Sequence, residues 1–259
     1  MLYHKIRKKT HIFFFGHRGA PQIAIENSIQ SLSKSIELGS HGVEVDIQTT
    51  KDHKIILFHD DYILSSSNKK YFIQKTAYNK VVQICIENNI PKPDLFDDLI
   101  SLITNNPDTG FNIEIKSRSF NNSKILRYIL NNIDQETLYN QCITSSFNYF
   151  LLYQLRFFLL YKGPIALILA NVNLKGKIGF SINKALVLLL KPGFLHVSIE
   201  NYSQSLIDWV HRKSMVINIY TVNNNAELKK CILLGVDGVF TDNHILYNES
   251  CSKNIMNNY

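Results

Sequence analysis

Paired cysteines, long apolar runs and glycine-rich loops are scarce in this chain, and each scarcity removes a class of protein. The four cysteines, Cys85, Cys142, Cys231 and Cys251, lie far apart with no CxxC spacing. That speaks against a zinc ribbon or a disulfide framework and for a reducing compartment, so a cytoplasmic location is expected. The apolar stretches FLLYQLRFFLLYKGPIALILA and ALVLLLKPGF are cut by Arg156, Lys162, Pro164, Lys191 and Pro192. Neither reaches the roughly 18–20 residues of a membrane span, so both read as buried elements and no transmembrane segment is expected. The basic KIRKK of Lys5–Lys9 precedes an apolar run of only Ile12–Phe15, short of the roughly 7–15 residues of a signal-peptide core, and export is not supported. No Pro/Gly/Ser linker divides the chain, and no glycine-rich phosphate fingerprint follows the first candidate strand.

What is present is 259 residues, 45% of them hydrophobic, enough for one large core. The expected division is a barrel domain over 11–247, a basic segment 1–10 and a polar tail 248–259. The formal charge of +7 suits nucleic acid, a membrane surface or an anionic small molecule. Lys and Arg are scattered without a recognisable binding motif, so nucleic acid is not expected as a partner. Candidate strands are Ile12–Gly16, Gly42–Gln48, Phe111–Lys116, Cys142–Ser146, Ile165–Leu169, Phe194–Ser198, Val216–Val222 and Asp237–Asp242. Amphipathic segments lie between them, among them NSIQSLSKSIELG, SQSLIDWVHRK and AELKKCILLG, the first and last ending on glycine as helices do. Eightfold strand-helix alternation over about 250 residues predicts a single-domain α/β fold, a (β/α)₈ TIM barrel, with a doubly wound sheet as the alternative. Lys54–Asp60 reads as a short extra strand returning on the second one. The polar stretch from Asp61 to Pro93 reads as a long irregular loop over the barrel mouth.

In a barrel the C-terminal strand ends form the active face, and the polar residues collect there. His17 and Arg18 follow strand one, Glu44 and Asp46 lie in strand two, His59 ends the extra strand, and Glu114 and Lys116 end strand three. Strand period two points Glu44 and Asp46 to one face, as it does Glu114 and Lys116. Three carboxylates in a barrel mouth need a cation among them, either internal Arg and Lys or a metal ion, and hard oxygen ligands suit Mg²⁺ or Ca²⁺. His17 and His59 read either as satisfied buried histidines or as a general acid and base for displacement at phosphorus. Arg18 and Lys116 would then hold phosphate oxygens, unless Arg18 serves only as an ion-pair partner of Glu44 or Asp46.

GHRG at Gly16–Gly19, EN at Glu26 and Asn27, GVEVDIQTTKD from Gly42 and FHD ending at Asp60 resemble the glycerophosphodiester phosphodiesterase family. IPKPDLFDDLI, NIEIK, TSSFN, YTVNN and GVDGVFTDN continue that resemblance in order through the domain. It implies a TIM barrel and divalent-metal-dependent hydrolysis of a small-molecule glycerophosphodiester to an alcohol and glycerol 3-phosphate. By position, His17 and His59 match the catalytic histidines, and Glu44, Asp46 and Glu114 match ligands of one divalent cation. Arg18 and Lys116 match phosphate-binding positions, and Asn27 matches a polar residue near the substrate. Tyr220, at a substrate-binding position, stands where the family has Trp, and Glu26 falls where a helix cap would sit. Ser65 stands where the family has Arg in the segment after the second histidine. Two other readings share these residues: a lysophospholipase D or phospholipase D-like enzyme acting on lipids, and a catalytically silent barrel that binds a phosphorylated ligand.

Overall fold

Eleven strands carry the fold in the computed structural model, which describes Leu2, Ile6 and residues 11–117, 122–169 and 185–247. They are β1 (Phe13–Gly16), β2 (Gly42–Thr49), β3 (Ile55–Leu57), β4 (Tyr62–Leu64), β5 (Lys70–Phe72) and β6 (Gly110–Ile115). The second half adds β7 (Cys142–Ser146), β8 (Ile165–Leu169), β9 (Phe194–Ser198), β10 (Val216–Tyr220) and β11 (Gly238–Thr241). The order β1-β11-β10-β9-β8-β7-β6-β2 is parallel throughout, and β1 also pairs with β2. Eight strands therefore close into a TIM barrel, and an open doubly wound sheet is excluded. The extra strand β3 pairs antiparallel with β2, Ile47 opposite Leu57 and Thr49 opposite Ile55.

Closure divides each strand by its period of two. Val43, Val45 and Ile47 of β2 and Phe111, Ile113 and Ile115 of β6 join the core beneath the helices, with Leu32, Leu99 and Ile103. The alternate residues Glu44, Asp46, Asn112 and Glu114 face the barrel axis and are buried there. The helix Ile29–Glu37 shows how the outer layer is seated. Ser28 Oγ accepts a hydrogen bond from Ser31 N at its start, and the chain turns out at Gly39 with φ +87°, a conformation that favours glycine. Gly16 lets that helix approach β1, because a Cβ there would collide with the Ser35 side chain.

The lower end of the barrel is filled with apolar side chains. Phe13, Phe15, Ile143, Ala166, Phe194, Val216 and Phe240 form one cluster, which Leu2 and Ile6 join from the N-terminal segment. Each fully buried Phe of this kind stabilises the fold by about 1.5–3 kcal/mol. Polar side chains on the axis are thereby confined to the middle and upper levels, where the chemistry collects.

The segment from Asp61 to Pro93 is not the irregular loop expected. It folds into the hairpin β4–β5, a single 3₁₀ turn at Ile73–Lys75 and the helix Tyr78–Glu87. Its sparse apolar residues Ile63, Ile73, Val81, Ile84 and Cys85 pack on Ile56 as a satellite core. The polar composition hid the helix because only one narrow stripe of it is buried.

The expected basic segment 1–10 lies outside the described residues apart from Leu2 and Ile6, and the expected tail 248–259 lies wholly outside them. No helix among the described residues is long and apolar enough to cross a membrane. Cys85, Cys142 and Cys231 are buried and unpaired, and Cys251 lies outside the described residues.

Candidate active site

Parallel pairing of β2 with β6 sets Asp46 beside Glu114 and Glu44 beside Asn112. One oxygen each from Glu44, Asp46 and Glu114 lies within 4.8 Å of the others, all three residues being buried. His17 and Arg18 follow β1, where Arg18 takes φ +53° and Gly19 φ +89°. This tight turn aims Arg18 N at Glu44 Oε2, 2.9 Å away. A non-glycine residue in the left-handed region is strained, and here the strain coincides with a contact to the carboxylate cluster. His59 arrives from β3, held by the hydrogen bond from Phe58 N to Asp46 O at 3.0 Å.

The cluster carries more negative charge than its neighbours offset. Burial and the nearby Asp46 and Glu114 raise the Glu44 carboxyl well above its usual value. Burial and Asp46 push Glu114 up to about 7. Burial would also raise Asp46, but Lys116, His59, Arg18 and the amide of Asn27 together hold it low. Lys116 Nζ lies 3.0 Å from Asp46 Oδ1 and 2.5 Å from Glu114 Oε1, and Arg18 Nε lies 3.4 Å from Asp46 Oδ2. The internal-cation reading of the carboxylates thus holds in part, for Asp46 and Glu114. Glu44 Oε1 is buried with no hydrogen-bond partner. Three convergent carboxylates, one of them with an orphaned oxygen, fit a hard divalent cation in both donor chemistry and charge.

The two imidazoles stand on either side of this cluster. His17 Nδ1 lies 2.7 Å from Asp242 Oδ1, and its Nε2 lies 3.9 Å from Glu44 Oε2. His59 Nδ1 lies 2.8 Å from Asp60 Oδ1 at a more exposed position. A carboxylate on Nδ1 of each ring favours the tautomer whose Nε2 is free to exchange a proton.

A cavity of about 270 Å³ is lined by His17, Arg18, Glu44, Asp46, His59, Glu114, Lys116 and Tyr220. Eight of the nine residues singled out in the sequence therefore share one space. The ninth, Asn27, is buried behind Asp46. Its Nδ2 donates to Asp46 Oδ2 and its Oδ1 accepts from Asp46 N, both at 2.9 Å, so its amide is spent on orienting that carboxylate. Tyr220 donates its hydroxyl to Leu169 O at 2.9 Å and meets Phe147 edge-on across the mouth. Glu26 does not cap the helix, which Ser28 does; its Oε1 accepts from Arg18 Nη1 at 2.7 Å.

The family match spans residues 17–246 and is described as the glycerophosphoryl diester phosphodiesterase family. The chain belongs to that family. It is accordingly an enzyme, a phosphoric diester hydrolase. The uncharacterized protein YqiK of Bacillus subtilis (strain 168) is 27% identical over 241 residues, 88% of this chain and 93% of that protein. A glycerophosphodiester phosphodiesterase of Bacillus altitudinis is 23% identical over 242 residues, with the same coverage of 88% and 93%. Among solved structures, an Oleispira antarctica phosphodiesterase in complex with its product sn-glycerol-3-phosphate superposes with TM-score 0.77 at 20% identity, covering 93% of this chain and 97% of that one. The glycerophosphodiester phosphodiesterase of Thermotoga maritima gives 0.71 at 22% identity, covering 93% and 99%.

Against the glycerophosphodiester phosphodiesterase pattern, Ser65 proves to be a turn residue. It is buried where β4 turns into β5, its Oγ 2.9 Å from Ser67 Oγ and accepting from Lys69 N, and it is not among the residues lining the cavity. Asp242 and Asn223 had no expected role, although they lie in the motifs GVDGVFTDN and YTVNN. A carboxylate at the end of the last barrel strand, opposite a histidine at the end of the first, was the available signal, since closure makes those strands neighbours.

Proposed function

We propose that this barrel, over residues 11–247, hydrolyses small glycerophosphodiesters to an alcohol and glycerol 3-phosphate in the cytoplasm. The observation that carries the reading is the pair His17 and His59 set about Glu44, Asp46 and Glu114 in one cavity with Arg18 and Lys116. Glu44, Asp46 and Glu114 would hold one Mg²⁺ or Ca²⁺, which when bound supplies positive charge to the phosphate oxygens and to the attacking hydroxyl. The glycerol 3-phosphate found in the Oleispira antarctica enzyme supports this choice of product.

The residues divide the work by position. Arg18 and Lys116 bind the phosphate, Arg18 through its planar fork and Lys116 as a point charge. His17, backed by Asp242 and nearest Glu44, accepts the proton of the attacking hydroxyl. His59 also lines a second, adjoining cavity of about 670 Å³, large enough for the departing alcohol. It therefore protonates that alcohol. The attacking group is the glyceryl hydroxyl next to the ester, which closes a five-membered cyclic phosphate and expels the alcohol. Water then opens the ring with the histidine roles reversed. Tyr220 walls the cavity.

The test is release of glycerol 3-phosphate from glycerophosphocholine, with and without chelator, beside the same assay on lysophosphatidylcholine. Cation-dependent release from glycerophosphocholine is expected. Turnover of the lipid alone would replace this reading with the lysophospholipase D one, and binding without turnover of either with the silent barrel.

A further inference from the structure

One level below the carboxylates, the barrel interior holds polar groups that the chemistry described so far does not use. Asn112 precedes Glu114 by two residues on β6, and His196 follows Phe194 of the apolar floor by two on β9. Both line the catalytic cavity although each is only 1% exposed. His196 Nε2 and Asn112 Oδ1 have no hydrogen-bond partner, while Asn112 Nδ2 is spent on Ser145 Oγ at 3.0 Å. Asn218, beside His196 in the β9–β10 register, likewise has both amide atoms unpartnered. Buried polar groups left this way cost free energy, which a ligand can return.

The surroundings narrow what that ligand is. Ile168, Phe147 and Phe240 make the rest of this wall apolar, and the Tyr220 hydroxyl is already bonded to Leu169 O. The His196 ring meets Phe240 edge-on at 4.8 Å, and burial lowers its pKa to about 3, so it is neutral throughout the working range. A neutral imidazole offers one donor and one acceptor, and a carboxamide oxygen one more acceptor. That set offers no positive charge to a phosphate, leaves a cation unneutralised and matches an alcohol hydroxyl, which both donates and accepts. Below it, Phe240 stacks on Phe15 at 5.0 Å and closes the way down to a longer chain.

We propose that His196 and Asn112 are specificity-determining residues that bind the terminal hydroxyl of the substrate's glyceryl group, selecting the deacylated diester over one acylated at that oxygen. The inference rests on the phosphodiesterase reading above. Acylation removes the hydroxyl proton and adds a chain where Phe240 and Phe15 leave no room.

Calorimetry on the intact protein in Mg²⁺ tests this with two probes, glycerol 3-phosphate and 1,2-propanediol 1-phosphate, which lacks only the terminal hydroxyl. The wild-type protein should prefer glycerol 3-phosphate. His196→Phe should reduce that preference about tenfold, the worth of one buried hydrogen bond, with propanediol phosphate binding unchanged. His196→Asn, which keeps a donor and an acceptor, should recover part of it. Equal binding of the two probes by the wild-type protein overturns the inference without any variant having to fold. So does an equal loss for both probes in His196→Phe, which marks a packing defect. Failure of the phosphodiesterase reading is separately visible, as absence of glycerol 3-phosphate release from glycerophosphocholine, and takes this inference with it.

Discussion

His17 Nδ1 sits 2.7 Å from Asp242 Oδ1, and the other oxygen of that carboxylate receives Asn223 Nδ2 at 2.7 Å. Burial would raise the Asp242 pKa, but His17 and Asn223 hold it low, so the carboxylate is ionised across the working range. The chain Asn223–Asp242–His17 fixes the ring and leaves Nε2 facing Glu44. Asp242→Asn keeps the shape but can present an N–H to Nδ1 and favour the wrong tautomer. We expect kcat to fall about 10²–10⁴-fold with KM little changed and melting temperature preserved. An Asp242→Asn enzyme with wild-type kcat would show that His17 needs no orienting partner.

His17 and His59 differ in surroundings and should differ in the response of their variants to the leaving group. If His59 protonates the alcohol, His59→Ala loses about 10²–10⁴ in the single-turnover rate of alcohol release from glycerophosphocholine but far less in that from a nitrophenyl diester, whose leaving group needs no proton. His17→Ala should be equally poor on both. Identical losses for the two variants on the two substrates would dissolve the division of labour. In the wild-type enzyme, kcat/KM should follow a bell against pH, reporting the pair rather than either ring.

The carboxylate triad predicts cation dependence that can be read without turnover. Glu44→Ala removes the ligand whose Oε1 has no other partner and should weaken Mg²⁺ binding by calorimetry at least tenfold, with the fold intact. Unchanged affinity would place the ion elsewhere.

The same cluster sets a pH dependence of stability whose sign follows from Glu114. Its folded pKa of about 7 lies above the ordinary 4.5. Between those values the folded state binds more protons than the unfolded one, so unfolding free energy falls as pH rises through that window and levels off above it. Glu44, raised in the same sense, adds to the slope, and the lowered Asp46 opposes it only at the acid end. In chelator the melting temperature should drop by several degrees from pH 5 to pH 7.5. Glu114→Gln should flatten that drop, and Mg²⁺ should stabilise more at pH 7.5 than at pH 5. A melting temperature that climbs over this range in chelator would contradict the raised Glu114.

Much of this site was legible because strand period and barrel closure are regular. Glu44 and Asp46, two apart on β2, had to share a face, and the barrel made that face the mouth. What escaped was set by packing between distant segments. Asn27 is spent on Asp46 because the left-handed backbone at Arg18 and Asn27 folds that loop behind β2. The helix Tyr78–Glu87 escaped because its core is a small satellite rather than a broad apolar face. His196 escaped because a lone histidine between Leu195 and Val197 reads as an ordinary buried residue until the chain closes around it.

The route of attack at phosphorus gives the last prediction. A glycerophosphodiester carries a hydroxyl on the carbon adjacent to the one that bears its phosphorylated oxygen, and an internal nucleophile held in line has an effective concentration of about 10⁵ M or more. His17 Nε2, beside Glu44, is placed to take that proton, and His59, at the opening to the larger cavity, to give one to the departing alcohol. A diester lacking only that neighbouring hydroxyl keeps the phosphate, the leaving group and the terminal hydroxyl, so it should still bind. Its turnover should fall at least about 10³-fold, because the attack would have to come from water at a much lower effective concentration. Phosphorus NMR of glycerophosphocholine during turnover should show a transient five-membered cyclic phosphate, and the enzyme should also open that cyclic phosphate when it is supplied directly. Near-normal hydrolysis of the deoxy diester would instead assign the first displacement to water, activated by the same two histidines.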